Sequence, residues 1–223
     1  MSVDFSLNIE EMATENPILE NGFYAAVLSK ASVEDKDGNS LIGIFPVKKE
    51  TFKGSGVFEE TEEYKLRGTL NYTLTLISEK AKNVLMQDEP KKFGRMYLVF
   101  DQKTGKLDPK NNIMFVQLCK LFEISSKEID EAIDKSEVSD AKVPEGLSHV
   151  ENIEILSKAT EYYRQFFSLL CRLIQDKKCL AEIRRQTSYS DKSILVDNLY
   201  QGNYQKPTCG LAPYEEGKEF DLN

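Results

Sequence analysis

The chain has 223 residues, 40% hydrophobic and 30% charged, with Lys+Arg 29 against Asp+Glu 37 and a formal net charge of −8. That balance excludes a wholly disordered chain and suits one or two globular domains. No stretch approaches the roughly 18 apolar residues of a membrane helix, so no membrane partner is expected. Taken whole, the acidic sum also argues against nucleic acid, whose phosphates are held by Lys and Arg.

Resolved along the chain, the acidity is uneven. Residues 1–20 hold five acids and no base, 119–150 hold eight acids and four bases, and 207–223 hold four acids and one base. Bases exceed acids by two in each of 21–118 and 151–206. The predicted organisation is an acidic N-terminal segment (1–20), one domain (21–206) and a flexible acidic C-terminal tail (207–223). The N-terminus, Met1-Ser2-Val3-Asp4-Phe5-Ser6, lacks the basic and apolar regions of a secretory signal, so a cytoplasmic protein with reduced cysteines is expected.

Residues 22–28 have the aromatic and β-branched content of a strand. A turn with Gly38-Asn39 follows, and 41–45 is the expected returning strand of a hairpin, ended by Pro46. Residues 48–58 lack any period and read as a mobile loop. From Tyr64 to Leu76 every second residue is apolar or aromatic except Gly68, which predicts a long half-buried strand with a bulge or bend at that glycine. Helices are expected over 78–86 with Ser78 as N-cap, 109–122 after an Asp108 cap, and 126–133. The stretch 134–147 reads as loop. The strongest helix is 152–175, whose apolar face carries Tyr162, Tyr163, Phe166 and Phe167. Residues 179–189 and 194–200 then read as paired strands. Strands, helices and strands in that order predict an α+β curled antiparallel sheet or barrel with a helical section inserted at about 109–175, not a doubly wound fold.

The chemistry of catalysis is missing from the sequence. Cys119, Cys171, Cys179 and Cys209 contain no closely spaced pair and His149 is the single histidine, so neither structural zinc nor histidine catalysis is expected. No phosphate loop, dinucleotide fingerprint or nucleophile elbow occurs, so no cofactor and no catalytic residue is assigned. Acid pairs such as Asp88 with Glu89, or Asp101 with Asp108, are the only basis for an alternative reading as a metal-dependent nuclease.

Single-stranded nucleic acid needs cations for phosphates and exposed rings for bases. Two regions combine them: Lys48, Lys49, Phe52, Lys53, Phe58, Tyr64, Lys65 and Arg67 in the first half, and Lys177, Lys178, Arg184, Arg185, Tyr189, Lys192, Tyr200, Tyr204 and Lys206 in the second. The tail adds Glu215, Glu216, Glu219, Phe220 and Asp221, an acidic segment with a late aromatic that suits a basic pocket on a partner or on the protein itself.

Three stretches resemble single-stranded-DNA-binding proteins of tailed bacteriophages: Gly22-Phe23-Tyr24-Ala25-Ala26, Ala181-Glu182-Ile183-Arg184-Arg185-Gln186-Thr187, and Glu219-Phe220-Asp221-Leu222. The resemblance implies an OB-like β-barrel, non-enzymatic binding of single-stranded DNA in phage replication or recombination, and a tail that recruits replication or recombination proteins in the host cytoplasm. It departs in the long helical section and in a tail that does not end on its aromatic. A structural or protein-interaction role in a phage assembly, using the aromatic helix as an interface, is the other alternative.

Overall fold

In the stretch that ends at Leu76, the side chains of Leu66, Leu70, Tyr72, Leu74 and Leu76 are almost completely buried while the residues between them are not. This period of two is what a sheet with one wet face requires. The computed structural model describes residues 17–52, 54, 58–192 and 194–221, so most of the acidic N-terminal segment and Lys53 lie outside the described part. The first sheet strands are β1 (Gly22–Ser32), β2 (Gly43–Phe52), β3 (Phe58–Leu76) and, after helix α1 (Glu79–Leu85), β4 (Lys91–Val99). Helices α2 (Ile113–Leu121), α3 (Ser126–Ala132), α4 (Lys135–Ser139) and α5 (Ile153–Ile174) follow. The chain then returns to the sheet as β5 (Lys178–Thr187) and β6 (Leu195–Leu199). It ends in β7 (Gly202–Asn203), β8 (Lys206–Pro207), β9 (Leu211–Pro213) and β10 (Phe220–Asp221).

The result is a mixed α+β fold around an eight-stranded sheet, with every pairing antiparallel. β3 is its spine. On one edge it pairs with β1 from Leu76 to Asn71 and with β2 from Arg67 to Phe58; on the other it pairs with β4 from Thr75 to Arg67. β1 and β2 therefore follow one another along the same edge, in the same direction. The Asp35 turn does form: its carboxylate accepts from the Asn39 backbone and amide, and Gly38 sits at φ +83°. It closes a small excursion, not the expected hairpin, and returns the chain to the edge it left. Pro46 does not end the strand. It lies in β2, whose outer side has no further strand among the described residues, where a missing N–H removes no ladder bond. The expected mobile loop 48–58 is mostly this β2–β3 ribbon.

Gly68 is not a bulge, because the ladder to β4 runs through it in register. Its need is space: a Cβ there would sit 3.0 Å from Leu98 and 3.2 Å from Ile42. The irregularity in the sheet falls instead between Leu28 and Lys30. Ser78 caps α1 as expected, accepting from Ala81. The Asp108 helix starts later, at Ile113 behind Asn112, because Asp108 closes a turn onto Lys110 and Asn111. The stretch 134–147 contains the short α4, started by the Asp134 carboxylate on Ser136.

α5 lies against β1, β2 and β3, and its Phe166, Phe167, Leu170 and Ile174 enter the same core as Leu28, Leu70 and Leu74. Each such side chain contributes about 1.5–3 kcal/mol. The aromatic stripe is thus interior packing; Tyr163 also reaches through to accept from the Leu107 N–H at 2.7 Å.

The two outer strands β4 and β6 share no ladder, yet side chains bridge them. Lys92 Nζ lies 2.6 Å from Asp197 Oδ1 and 2.7 Å from the Asp197 carbonyl, and Asp197 Oδ2 accepts from the Leu19 N–H at 2.8 Å. One step along, Gln201 accepts from the Arg95 N–H and donates to the Arg95 carbonyl and to the Tyr72 hydroxyl. Lys92 meets Asp197 and Arg95 meets Gln201, so the two strands run in the same direction where they approach. The Lys92 and Asp197 side chains are only 11% and 12% exposed. Removing one partner leaves a buried charge alone, so Asp197→Ala or Lys92→Ala is expected to cost about 3–5 kcal/mol, while the double variant Lys92→Met, Asp197→Leu recovers most of the loss. Urea unfolding of the four proteins checks this, and equal losses in single and double variants would contradict it.

Candidate nucleic-acid interface

The wet face of the sheet follows from the parity that buries the other. From β3 it takes Arg67, Thr69, Asn71, Thr73 and Thr75; from β4, paired opposite them, Val99, Tyr97, Arg95, Phe93 and Lys91. No acid stands among these positions. Phe93 and Tyr97 are 71% and 70% exposed, an unusual placement for large rings, and Arg95 lies between them with its Nε on Asn71 Oδ1 at 3.1 Å. Four residues of strand put the two rings about 13 Å apart. Among the described residues neither Arg67 nor Lys91 has an acidic partner.

At the Arg67 end this face deepens into a groove of about 650 Å³. Phe45 of β2 forms one wall, Tyr97 and Val99 the other, and Lys65, Arg67 and Thr69 lie between them. Its end is closed by Gln102, whose carboxamide accepts from the Leu66 N–H and donates to the Leu66 and Phe100 carbonyls. Asn112 does the same for Val99, and Gln201 for Arg95. Side-chain amides imitate a neighbouring strand at three points around the face, which satisfies backbone groups that would otherwise be left open. Between Phe93 and Arg95, Gly94 leaves room for the Tyr72 ring, which a Cβ there would meet at 2.0 Å.

Arg67 and Lys65 are the expected site residues that reach this groove. Lys48 and Lys49 sit on the β2–β3 ribbon but are held by Glu60 and Glu63, both at 2.6 Å. Glu63 also takes Lys65, and the hydrogen bonds from Lys49 and then Lys65 hold its carboxyl below the usual range. Phe52 is 60% exposed near the ribbon's tip, while Lys53 and the Phe58 side chain lie outside the described residues. Tyr64 packs edge-on against His149 and hydrogen-bonds Glu62, which raises its phenol.

The second expected cluster disperses. Lys178 lies over the Tyr214 ring, and Arg184 covers the Tyr200 ring at 3.9 Å while pairing with Glu182. Arg185 is a structural tie: it donates to the carbonyls of Leu19 and Ile18 and to Glu20, and its own N–H goes to Asn21. Tyr189 and Tyr204 are fully exposed, with Lys192 beside Tyr189. Lys177 and Lys206 are exposed on turns or short strands.

The expected tail is laid back on the sheet. β9 pairs with β5, β10 pairs with Gly22 and Phe23, and Glu219 accepts from the Ala25 N–H and the Ser78 hydroxyl. Glu215 pairs with Lys218 and Glu216 is exposed; the Phe220 and Asp221 side chains lie outside what is described.

Phe45, Phe93, Arg95 and Tyr97 are absent from the sequence assignment. The signal for the last three was available in Lys91-Lys92-Phe93-Gly94-Arg95-Met96-Tyr97, where cation and ring alternate at every second position.

For other chemistry the side chains are committed elsewhere. Asp101 accepts from Thr104 and Lys103, which hold its carboxyl low, and Asp108 serves its own turn. Among the described residues no three His, Cys, Asp or Glu side chains gather as a metal site. Burial pushes the Cys119 thiol up to about 11 and those of Cys171 and Cys179 up to about 12. No family model, curated protein or solved structure matches this chain.

Two outcomes follow from these placements. Arg185→Ala is expected to lose about 1–3 kcal/mol of stability in urea melts, through its hydrogen bonds to residues 18–20, without altering the β3–β4 face. A thiol reagent at pH 8 is expected to label the folded protein slowly and the urea-unfolded protein fast, because the thiolate is suppressed only in the fold.

Proposed function

We propose that this protein binds single-stranded DNA, without catalysis, on the exposed face of β3 and β4. The observation that carries the reading is the acid-free surface on which Phe93 and Tyr97 are presented on either side of Arg95, beside the groove of Phe45, Lys65 and Arg67. Rings held out into water on a rigid sheet stack bases whatever their sequence, and isolated cations between them hold the backbone. Duplex DNA keeps its bases stacked inside and cannot use such rings.

Topology supports an OB-like reading. Taking β1, β3, β4, β5 and β6 as five strands, the order around the curl is β4-β3-β1-β5-β6, with β6 brought back to β4 by Lys92–Asp197 and Gln201. Helices α2 to α5 are inserted between the third and fourth of these strands. In barrels of this kind the second and third strands, with the loops after the first and fourth, take oligonucleotides. Here those correspond to β3 and β4, the β2–β3 ribbon, and the 188–194 loop with Tyr189 and Lys192.

With the stretches resembling phage single-stranded-DNA-binding proteins, this supports a role in phage DNA replication or recombination, in the host cytoplasm. The acidic C-terminal segment is then the surface for replication or recombination partners. Because β9 belongs to the sheet and the buried Cys209 to the core, its role is best tested by removing 214–223 rather than everything after 206.

Fluorescence titration of oligo-dT over a range of salt tests the function. With Arg67, Lys91 and Arg95 on the face and Lys65 held by Glu63, the logarithm of affinity is expected to fall with log salt at a slope of about −2, reduced by about 0.7 in Arg67→Ala. The Phe93→Ala, Tyr97→Ala protein is expected to bind at least about tenfold more weakly with an unchanged melting temperature. Absence of binding at low salt, or an unaffected double variant, would overturn the reading.

A further inference from the structure

A second cavity, of about 580 Å³, opens where the wet face ends. It is lined by Ile18 of the entry segment, Leu85 at the end of α1, Gln87 after it, Lys91, and Ile194 and Leu195 where β6 begins. Ile194 and Leu195 are 50% and 55% exposed. Of the charged groups at its wall, Lys92 and Asp197 are consumed by each other, whereas Lys91 has no acidic partner among the described residues. Lys91 also belongs to the wet face, two positions before Phe93, so cavity and face are continuous.

We propose that this cavity takes one unstacked nucleotide of the bound strand, its base among the aliphatic side chains and its phosphate on Lys91. The inference rests on the function proposed above. The volume falls in the range of small-molecule pockets, roughly 300–1,000 Å³. Aliphatic side chains in the wall, with Lys91 at the rim free of an acid among the described residues, match a nucleotide, whose base is flat and weakly hydrated and whose phosphate is anionic. Gln87 supplies an amide donor and acceptor for a base edge. Lys91 stands about 7 Å along the strand from Phe93, so a strand whose other bases stack on Phe93 and Tyr97 passes the mouth of the cavity. The base there leaves the stack, while its neighbours remain on rings.

The test uses the full chain and oligo-dT carrying one 2-aminopurine at successive positions. A base stacked on Phe93 or Tyr97 is quenched, whereas one held among aliphatic side chains and away from its neighbours brightens. One bright position beside quenched positions is expected. Leu195→Trp, which fills the cavity from an exposed position, is expected to abolish the bright position and weaken binding about tenfold while leaving the quenched positions. Lys91→Gln is expected to weaken binding and lower the salt slope by about 0.7 without removing the quenching. Binding with no bright position, or brightness that survives Leu195→Trp, would overturn this inference alone. Brightness that emerges only after deletion of residues 1–16 would overturn it too, by showing that the chain's own N-terminus occupies the cavity in the intact protein. No binding at any salt would overturn the proposed function itself.

Discussion

The Lys92–Asp197 pair is the constraint on which the curl of this sheet depends. β4 and β6 are the outermost strands of a sheet that bends round a core, and the ladder does not join them. A buried ion pair substitutes for the missing hydrogen bonds, and Asp197 uses its second oxygen to fix Leu19, where the chain enters the fold. Such a pair brings little net stability relative to apolar residues of the same size. Its value is specificity: it fixes which residues of β4 and β6 face each other. Gln201 then closes on Arg95 and Tyr72 in that same register.

That register governs the exposed face. Lys92 points inward with Gly94, Met96 and Leu98, so Lys91, Phe93, Arg95, Tyr97 and Val99 must point outward. A shift by one residue would bury the cations and expose the core. The rings are held out by the same alternation that fills the interior, and the substitution of carboxamides for a neighbouring strand at Leu66, Arg95 and Val99 leaves the face itself uncovered. Rigidity matters here, because a ring already fixed in water loses little freedom when a base stacks on it.

Elements with a long, clean period were legible in the sequence. β3, α5, β5 and β6 fall where the alternation or the helical stripe puts them. What escaped were features set by partners distant in the chain. The 35–39 turn has hairpin chemistry, yet β2 pairs with β3 and not β1, because the same β3 edge remains free beyond Asn71. Pro46 looked terminal because a proline ends an inner strand; an edge tolerates it. β4 was missed although its alternation is strict, since here the larger rings lie on the wet side and Lys92 and Gly94 on the dry side, an inversion of the usual rule. The same inversion hid the candidate site. Lysines were counted as free cations, but Lys48, Lys49 and Arg184 have acids beside them and Arg185 holds the entry segment, pairings that spacing alone does not reveal.

The charge of −8 also takes a different meaning on this fold. A binding surface is governed by the charges within about a Debye length, roughly 8–10 Å at physiological salt, more than by a sum over the chain. On the β2–β3 ribbon Glu60 and Glu63 are matched by lysines, and the acids of the helical section and C-terminal segment stand on other elements. For the proposed binding, an anionic strand would be opposed by the net charge of −8 and least opposed along the acid-free positions of β3 and β4. The acidity thus narrows where a strand can settle. With only a few unpaired cations on that face, the proposed binding would draw much of its affinity from Phe93 and Tyr97, the two large rings that β4 holds in water.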